Sequence, residues 1–300
     1  MLDKLEMFIA VVNEEHFGRA ALTLGITQPT LSTGIRQLEE QLGVQLIFRG
    51  SRYGGLTPEG QSALAWARRI VADAKQLKEE MQASRHGLAG HLRIAVIPTA
   101  LTWAARLTSE LSASHPNVRF TVLSRTSAEI LSMLDNLEVD AGLTYLDNEP
   151  LGRVSSEPLY SEAYRLVCRA DTPLAARKSV GWADLADQRL CLLTGAMQNR
   201  RIINRNLSEA GIAPDARIES NSTVVLVANV LAGDWVTVLP ADIAQFLIQG
   251  KPLAAVPLDG ARKDHVVGLI APHRDPHTPV VQSLLRAART ISTCRTPPAA

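Results

Sequence analysis

The chain has 300 residues, 46% of them apolar and 20% charged, and a formal net charge of +1. That is the composition of a folded globular protein too long for one typical core, so two or three domains are expected. The near-neutral balance excludes a strong overall basic field, and any nucleic-acid binding has to be carried locally.

No apolar run reaches the roughly 18 residues of a membrane span, so no membrane partner is expected. The N-terminal stretch MLDKLEMFIAVVNEEHFG carries Asp3 and Glu6 and lacks a basic region followed by a cleavage site. It does not read as an export signal, and a cytoplasmic chain is expected. Cys168, Cys191 and Cys294 are isolated from one another, and the seven histidines are scattered, mostly at element edges. No metal site, disulfide framework or cofactor is expected. Cys168 and Cys191 fall in the apolar runs RLVCRA and RLCLLT and are expected in buried strands.

Residues 20–43 read AALTLGITQPTLSTGIRQLEEQLG. Phe17, Ala20, Ala21 and Leu24 recur at i, i+3, i+4 and i+7, one face of a short helix. Gly25 can take the left-handed conformation that closes it, with Ile26 plugging the turn. Thr27 can cap the next helix, whose first turn tolerates Pro29. In that helix Leu31, Ile35, Leu38 and Leu42 share an apolar face, and Pro29, Thr33, Arg36 and Gln37 lie opposite, flanked by Gln28, Thr30 and Ser32. Two helices joined this tightly make a helix-turn-helix or, on the blander reading, an αα-hairpin inside a core. The small polar face suits entry into a DNA major groove. Thr30, Ser32 and Thr33 can bond phosphates or base edges, Gln28 and Gln37 can pair adenine, and Arg36 can pair guanine or phosphate. Residues 1–57 hold five basic and six acidic side chains, so net charge does not favour this reading. Arg49 and Arg52, in FRGSRYGGLT, suit a small β-wing gripping the backbone beside the groove. Gly34, inside the recognition helix, should cost about 1 kcal/mol against Ala unless a close approach requires it.

From Thr57 to about residue 86 one long helix is expected, with Thr57 as N-cap and Pro58 in its first turn. Ala67, Ile70, Ala74, Leu77 and Met81 are spaced 3-4-3-4, a seam for a partner helix and hence for dimerisation. Gly87 and Gly90 mark a hinge. Strands and helices then alternate: strands at 92–97, 118–123 and 140–146 with helices between, and later strands at 164–169, 189–194, 216–220, 235–240 and 265–271. That rhythm predicts α/β lobes with parallel sheets.

The segments AALTLGITQPTLSTGIRQLEEQLGVQLIFR and GLTPEG, with thinner echoes in GHLRIAVIPT, LDAGLTYL, EAG and AGDWVTVLP, resemble the LysR-type transcriptional regulators. The resemblance implies an α/β protein with an N-terminal all-α winged helix-turn-helix and a two-lobed effector domain like those of periplasmic binding proteins. It places the DNA-binding domain at 1–58, the linker helix and hinge at 59–90, and the effector domain at 91–300. The first lobe would take about 91–161 and 267–300, the second about 162–266. It further implies promoter DNA and a small-molecule effector as partners, dimers through the linker helix, homotetramers, and RNA polymerase as a further candidate partner. The sequence departs from the family pattern at Thr33-Gly34, after the recognition-helix serine, and at Trp235, where the family has glycine. The Trp235 ring is expected either to fill part of the cleft or to pack against the hinge.

In parallel α/β lobes ligands sit beyond the carboxyl ends of strands, where helix N-termini offer free N–H groups that favour anions. Thr99 and Thr102 match the family's hydroxyls at the first such junction. Thr126 stands at the second, where Glu129 also completes a capping box. Met197, Gln198 and Asn199 match the loop of the second lobe, and Thr223 opens a further helix. The expected function is a non-enzymatic regulator controlled by a small anionic or carboxylate effector. An α/β enzyme would need a motif such as G-x-S-x-G or a Gly-rich nucleotide loop, neither of which appears. A stand-alone solute-binding protein would have an export signal and no helical head.

Overall fold

The computed structural model describes residues 1–48, 53–86, 88–147, 150–213, 215–260 and 265–293. The chain divides into two compact units, residues 1–87 with 136–138, and the remainder.

The first unit is helical: α1 (Leu2–Glu14), α2 (Phe17–Thr23), α3 (Gln28–Leu42) and α4 (Pro58–His86). Phe8, Val11, Ala20, Leu31, Leu38 and Leu46 are fully buried in one core. The α2–α3 turn forms as its residues dictate. Gly25 takes φ +67°, and the Thr27 hydroxyl accepts the Thr30 N–H at 3.3 Å. Leu42, expected on the buried face, is instead 43% exposed at the helix end, where Gly43 turns the chain away. Beyond α3, Ile47 pairs with Leu56 in a single antiparallel bridge, the base of the expected wing. Arg49 and Arg52 lie outside the described residues.

Thr57 caps α4 by accepting the Gly60 N–H at 2.9 Å. The expected seam along α4 divides. Ala67 is buried in the head's own core beside Ala63, Leu64 and Val71, so it is not offered to a partner helix; its position faces α1 rather than solvent. Ile70, Leu77 and Met81 are exposed and Ala74 is half-buried, and the pattern did not register Trp66, whose ring is also exposed.

The second unit holds β1 (Ala89–Val96), α5 (Leu101–Ser114), β2 (Asn117–Ser124), α6 (Ser127–Asp135), β3 (Ala141–Tyr145) and β4 (Val154–Glu162). It continues with β5 (Tyr164–Arg169), β6 (Val180–Gly181), β7 (Leu190–Leu193), α7 (Gln198–Glu209), β8 (Ala216–Ser220) and α8 (Thr223–Ala232). It ends with β9 (Thr237–Pro240), α9 (Ala241–Ile248), β10 (Leu253–Asp259), β11 (His265–Pro272) and α10 (Pro279–Thr293). One five-stranded sheet runs β2-β1-β3-β11-β4, with β1 parallel to β2 and β3 and with β11 antiparallel to its neighbours. The other lobe carries β6-β10-β5-β9 and the parallel pair β7-β8, joined through a bridge from Leu190 to Val236. The chain therefore passes between lobes at Glu162-Ala163-Tyr164 and again between β10 and β11. Strands β4 and β10 and helix α9 escaped the sequence pattern, because proline at 158 and 257 breaks two of them and α9 is only 8 residues long. Cys168 and Cys191 are buried in β5 and β7, as their apolar neighbours predicted.

Candidate functional site

Two surfaces concentrate the chemistry. On α3 the apolar side chains Leu31, Ile35 and Leu38 are buried, and Gln28, Pro29, Thr30, Thr33, Arg36 and Gln37 are exposed on the opposite side, with Ser32 half-buried between them. Gly34 faces inward, where a Cβ would overlap the sulfur of Met7 on α1. The glycine thus serves close packing of α3 on α1, not an approach to DNA. Glu39 fixes the segment beyond: its Oε1 accepts the N–H groups of Leu46 at 2.8 Å and Ile47 at 3.3 Å.

In the second unit a cavity of about 820 Å³ opens at the starts of α5, α6, α7 and α8. Its lining includes Pro98, Leu101, Thr126, Met197 and Thr223. Four helix N-termini gather around one space with their partial positive charge, although at α6 the Thr126 hydroxyl already accepts the Glu129 N–H at 3.2 Å. Arg125 adds a full positive charge to the rim. Two carboxylates also line it, each already engaged. Glu129 accepts the Thr126 N–H at 2.8 Å and its hydroxyl at 2.7 Å, which hold its pKa below the ordinary value, backbone bond first. Glu219 accepts from Arg200 at 2.8 Å. Arg200 itself is buried, also donating to the Leu193 carbonyl at 2.8 Å.

Of the sequence-predicted effector residues, Thr126, Met197 and Thr223 line this cavity. Thr99 is buried between the lining residues Pro98 and Leu101, and the hydroxyls of Thr99 and Thr102 find no hydrogen-bond partner among the described residues. Asn199 is buried and donates through Nδ2 to the Tyr145 hydroxyl at 3.4 Å, while its Oδ1 is also unpartnered among the described residues. Gln198 is half-buried and accepts from Arg201 Nε at 2.6 Å, outside the cavity lining. Trp235 is not in the lining either. Its ring lies under the Arg189 guanidinium, 3.9 Å from the ring centroid, and packs on the second-lobe core with Leu226 and Ile243. Neither placement expected for that ring, in the cleft or against the hinge, is the one observed; the Arg189 guanidinium gives the indole face a cationic partner on the second-lobe core instead.

The sequence reading missed Glu162. This carboxyl, at the lobe crossover, is buried and accepts through Oε2 from both Tyr145 and Tyr164 at 2.8 Å. Burial pushes it up from 4.5 to about 7, against the hydroxyls of Tyr145, Tyr164 and Thr99, which favour the ionised form. The only sequence signal was an acid set between Tyr160 and Tyr164.

A helix-turn-helix head and a two-lobed α/β unit with a cavity at its helix starts define a ligand-responsive transcriptional regulator rather than an enzyme. A model of the bacterial regulatory helix-turn-helix proteins of the LysR family matches residues 2–61, and one of the LysR substrate binding domain matches residues 85–291. The chain belongs to the LysR family of transcriptional regulators. It is 32% identical over 238 residues to the DNA-binding transcriptional dual regulator OxyR of Escherichia coli K12, covering 79% of this chain and 78% of that protein. It is 29% identical over 245 residues to the transcriptional regulator XapR of the same organism, covering 81% and 83%. Among solved structures, a full-length single-site variant of OxyR from Pseudomonas aeruginosa superposes with a TM-score of 0.75 at 26% identity, covering 97% of this chain and 99% of that one. Among the described residues no helix is long and apolar enough to cross a membrane.

Proposed function

We propose that this regulator is controlled by a small anion, foremost a carboxylate, held in the cavity between its lobes. The observation that carries the reading is the gathering of four helix N-termini and Arg125 around one space whose two acids are already bonded. Thr126, Met197 and Thr223 would touch the ligand directly. Thr99, Thr102 and Asn199 carry the buried polar atoms whose bonds remain to be filled. A ligand bridging both lobes shifts their balance by its differential affinity for the two arrangements, typically about 1–3 kcal/mol of coupling. On the same reading the exposed polar face of α3 contacts promoter DNA. The exposed Ile70, Leu77 and Met81 of α4 pair two copies, and pairs assemble into homotetramers. The domain limits of the reading are 1–58, 59–90 and 91–300.

Several relatives are named hydrogen peroxide-inducible genes activators. The chemistry of this chain favours ligand binding over thiol oxidation, because a peroxide-reactive cysteine has to be an accessible thiolate. Cys168 and Cys191 are buried, and burial raises both thiols, Cys191 to about 11. Cys294 lies outside the described residues. Thermal-shift titration with small carboxylates and their uncharged amides tests the effector class. Carboxylates should raise Tm and their amides should not; equal shifts from both, or shifts from the amides alone, would remove the anion from the reading.

A further inference from the structure

Glu162 is the last residue of β4, where the chain leaves one lobe for the other. Its Oε2 joins the lobes directly, accepting from Tyr145 on β3 of the first lobe and from Tyr164 on β5 of the second, both at 2.8 Å. The Tyr145 hydroxyl in turn accepts from Asn199 at the start of α7, a second link across the same boundary. Its other oxygen, Oε1, has no partner among the described residues, and neither has the hydroxyl of nearby Thr99. The Thr99 hydroxyl, like those of the two tyrosines, favours the ionised acid, and burial outweighs all three.

The groups around Glu162 come from every element packed on it. Asp147, in the loop after β3, opposes its ionisation and is itself bonded to His265 of β11 at 3.2 Å. Tyr160 stands beside it on β4, and beyond that ring are Asp242 of α9 and Arg106 of α5. The tyrosines 145, 160 and 164 are held well above their ordinary pKa, chiefly by burial, so they act as fixed donors and not as proton acceptors.

We propose that Glu162 is a proton-operated latch between the lobes: neutral, it holds them in the present arrangement, and ionised, it favours a parted arrangement that admits water to the carboxylate. The physical reason is linkage. A buried carboxyl near 7 and a hydrated one near 4.5 cannot belong to the same lobe arrangement. Each pH unit between about 4.5 and 7 therefore moves the balance toward the parted form by up to about tenfold, and the shift levels off above 7. The latch would regulate the cleft proposed above and rests on that reading for its purpose, yet it can be tested with no effector present.

The test uses the full chain labelled with ¹³C at glutamate Cδ, followed by NMR from pH 5 to 9. One resonance should titrate near 7, apart from the others, and vanish in Glu162→Gln. Amide exchange in β4, β5 and the first turn of α7, corrected for the intrinsic rise with pH, should be about tenfold faster at pH 8 than at pH 6. The Gln variant should lack that dependence and stay at the low-pH value. Tyr164→Phe removes one donor from the carboxylate and should move the midpoint upward, a reading that holds even if the Gln variant folds poorly. A Glu162 resonance titrating with the other glutamates overturns the proposal, as does a Tyr164→Phe midpoint left in place or exchange that rises equally in wild type and Gln variant. A cleft that binds no carboxylate would leave all three measurements unchanged, so the two readings fail separately.

Discussion

The carbonyl oxygen of Leu46 fills the space that a side chain on Gly60 would need. Thr57, three residues earlier, ties the same two segments by donating its hydroxyl to the Gln45 carbonyl at 2.6 Å and its N–H to the Leu46 carbonyl at 3.0 Å. The LTPEG stretch is therefore a seat for the start of α4 against the chain beyond α3. A methyl at Gly60 meets backbone, which cannot swing aside, so Gly60→Ala should destabilise the head by about 3 kcal/mol, the upper end for overpacking. Gly34→Ala meets only the mobile end of Met7 and regains helix propensity, so its net effect should stay within about 1 kcal/mol. Hydrogen exchange of α1–α3 amides in the two variants checks the contrast, and equal effects would refute it.

Glu39 makes a second such seat. Replacing it with Ala leaves the Leu46 and Ile47 N–H groups without their charged acceptor, a loss of about 1–3 kcal/mol. Glu39→Gln keeps an acceptor and should recover at least half of that. Urea unfolding of the head, followed by the same amides, gives the measurement; an Ala variant as stable as wild type would contradict it.

How far the sequence carried the structure follows from the range of each interaction. The α2–α3 turn, the polar face of α3 and the caps at Thr27, Thr57 and Thr126 are local, written within four or so residues, and the structure forms them as read. The reason for Gly34 was invisible because Met7 lies on another helix. Ala67 fitted a partner seam by spacing, but spacing does not say which neighbour a small residue meets. Trp235 likewise found Arg189, which only the folded second lobe brings to it. Glu162 was the costliest omission: its partners come from β3 and β5, and no pattern within β4 announces them.

The same carboxyl sets a pH dependence of global stability. Its folded value is raised from 4.5 to about 7, so the neutral form is the one that folding favours. The contribution is fully present below 4.5 and is lost as pH climbs through 7. Against Glu162→Gln, which carries no such dependence, wild type should give up on the order of 3 kcal/mol across that window. Chemical denaturation of both proteins at pH 5 and pH 7.5 gives the comparison. A constant gap between them would mean that Glu162 is ionised in the fold.

Thiol reactivity offers an independent check on the mode of sensing. Cys168 and Cys191 are buried with raised thiols, so neither should be alkylated or oxidised in the folded chain at pH 8 within minutes, and both should react fully in denaturant. Peptide mass spectrometry after brief iodoacetamide or peroxide treatment resolves each site. Prompt modification of either one in folded protein would favour a thiol sensor over a ligand cleft.

The division of labour between head and lobes predicts opposite phenotypes for two single changes. Arg36 is exposed on the polar face of α3, away from the Leu31–Leu38 core, so Arg36→Ala should not unfold the head. Loss of one bidentate base or phosphate contact costs about 1–3 kcal/mol, or roughly 5- to 150-fold in specific DNA affinity. Ligand-induced thermal shifts should survive in that variant. Thr99→Ala removes a buried hydroxyl that has no partner among the described residues, so its cost to folding should be small. If that hydroxyl awaits the effector, the variant should weaken the carboxylate response while gel-shift affinity for promoter DNA stays at the wild-type level. Loss of the same property in both variants would show that recognition of DNA and of effector are not housed in separate units.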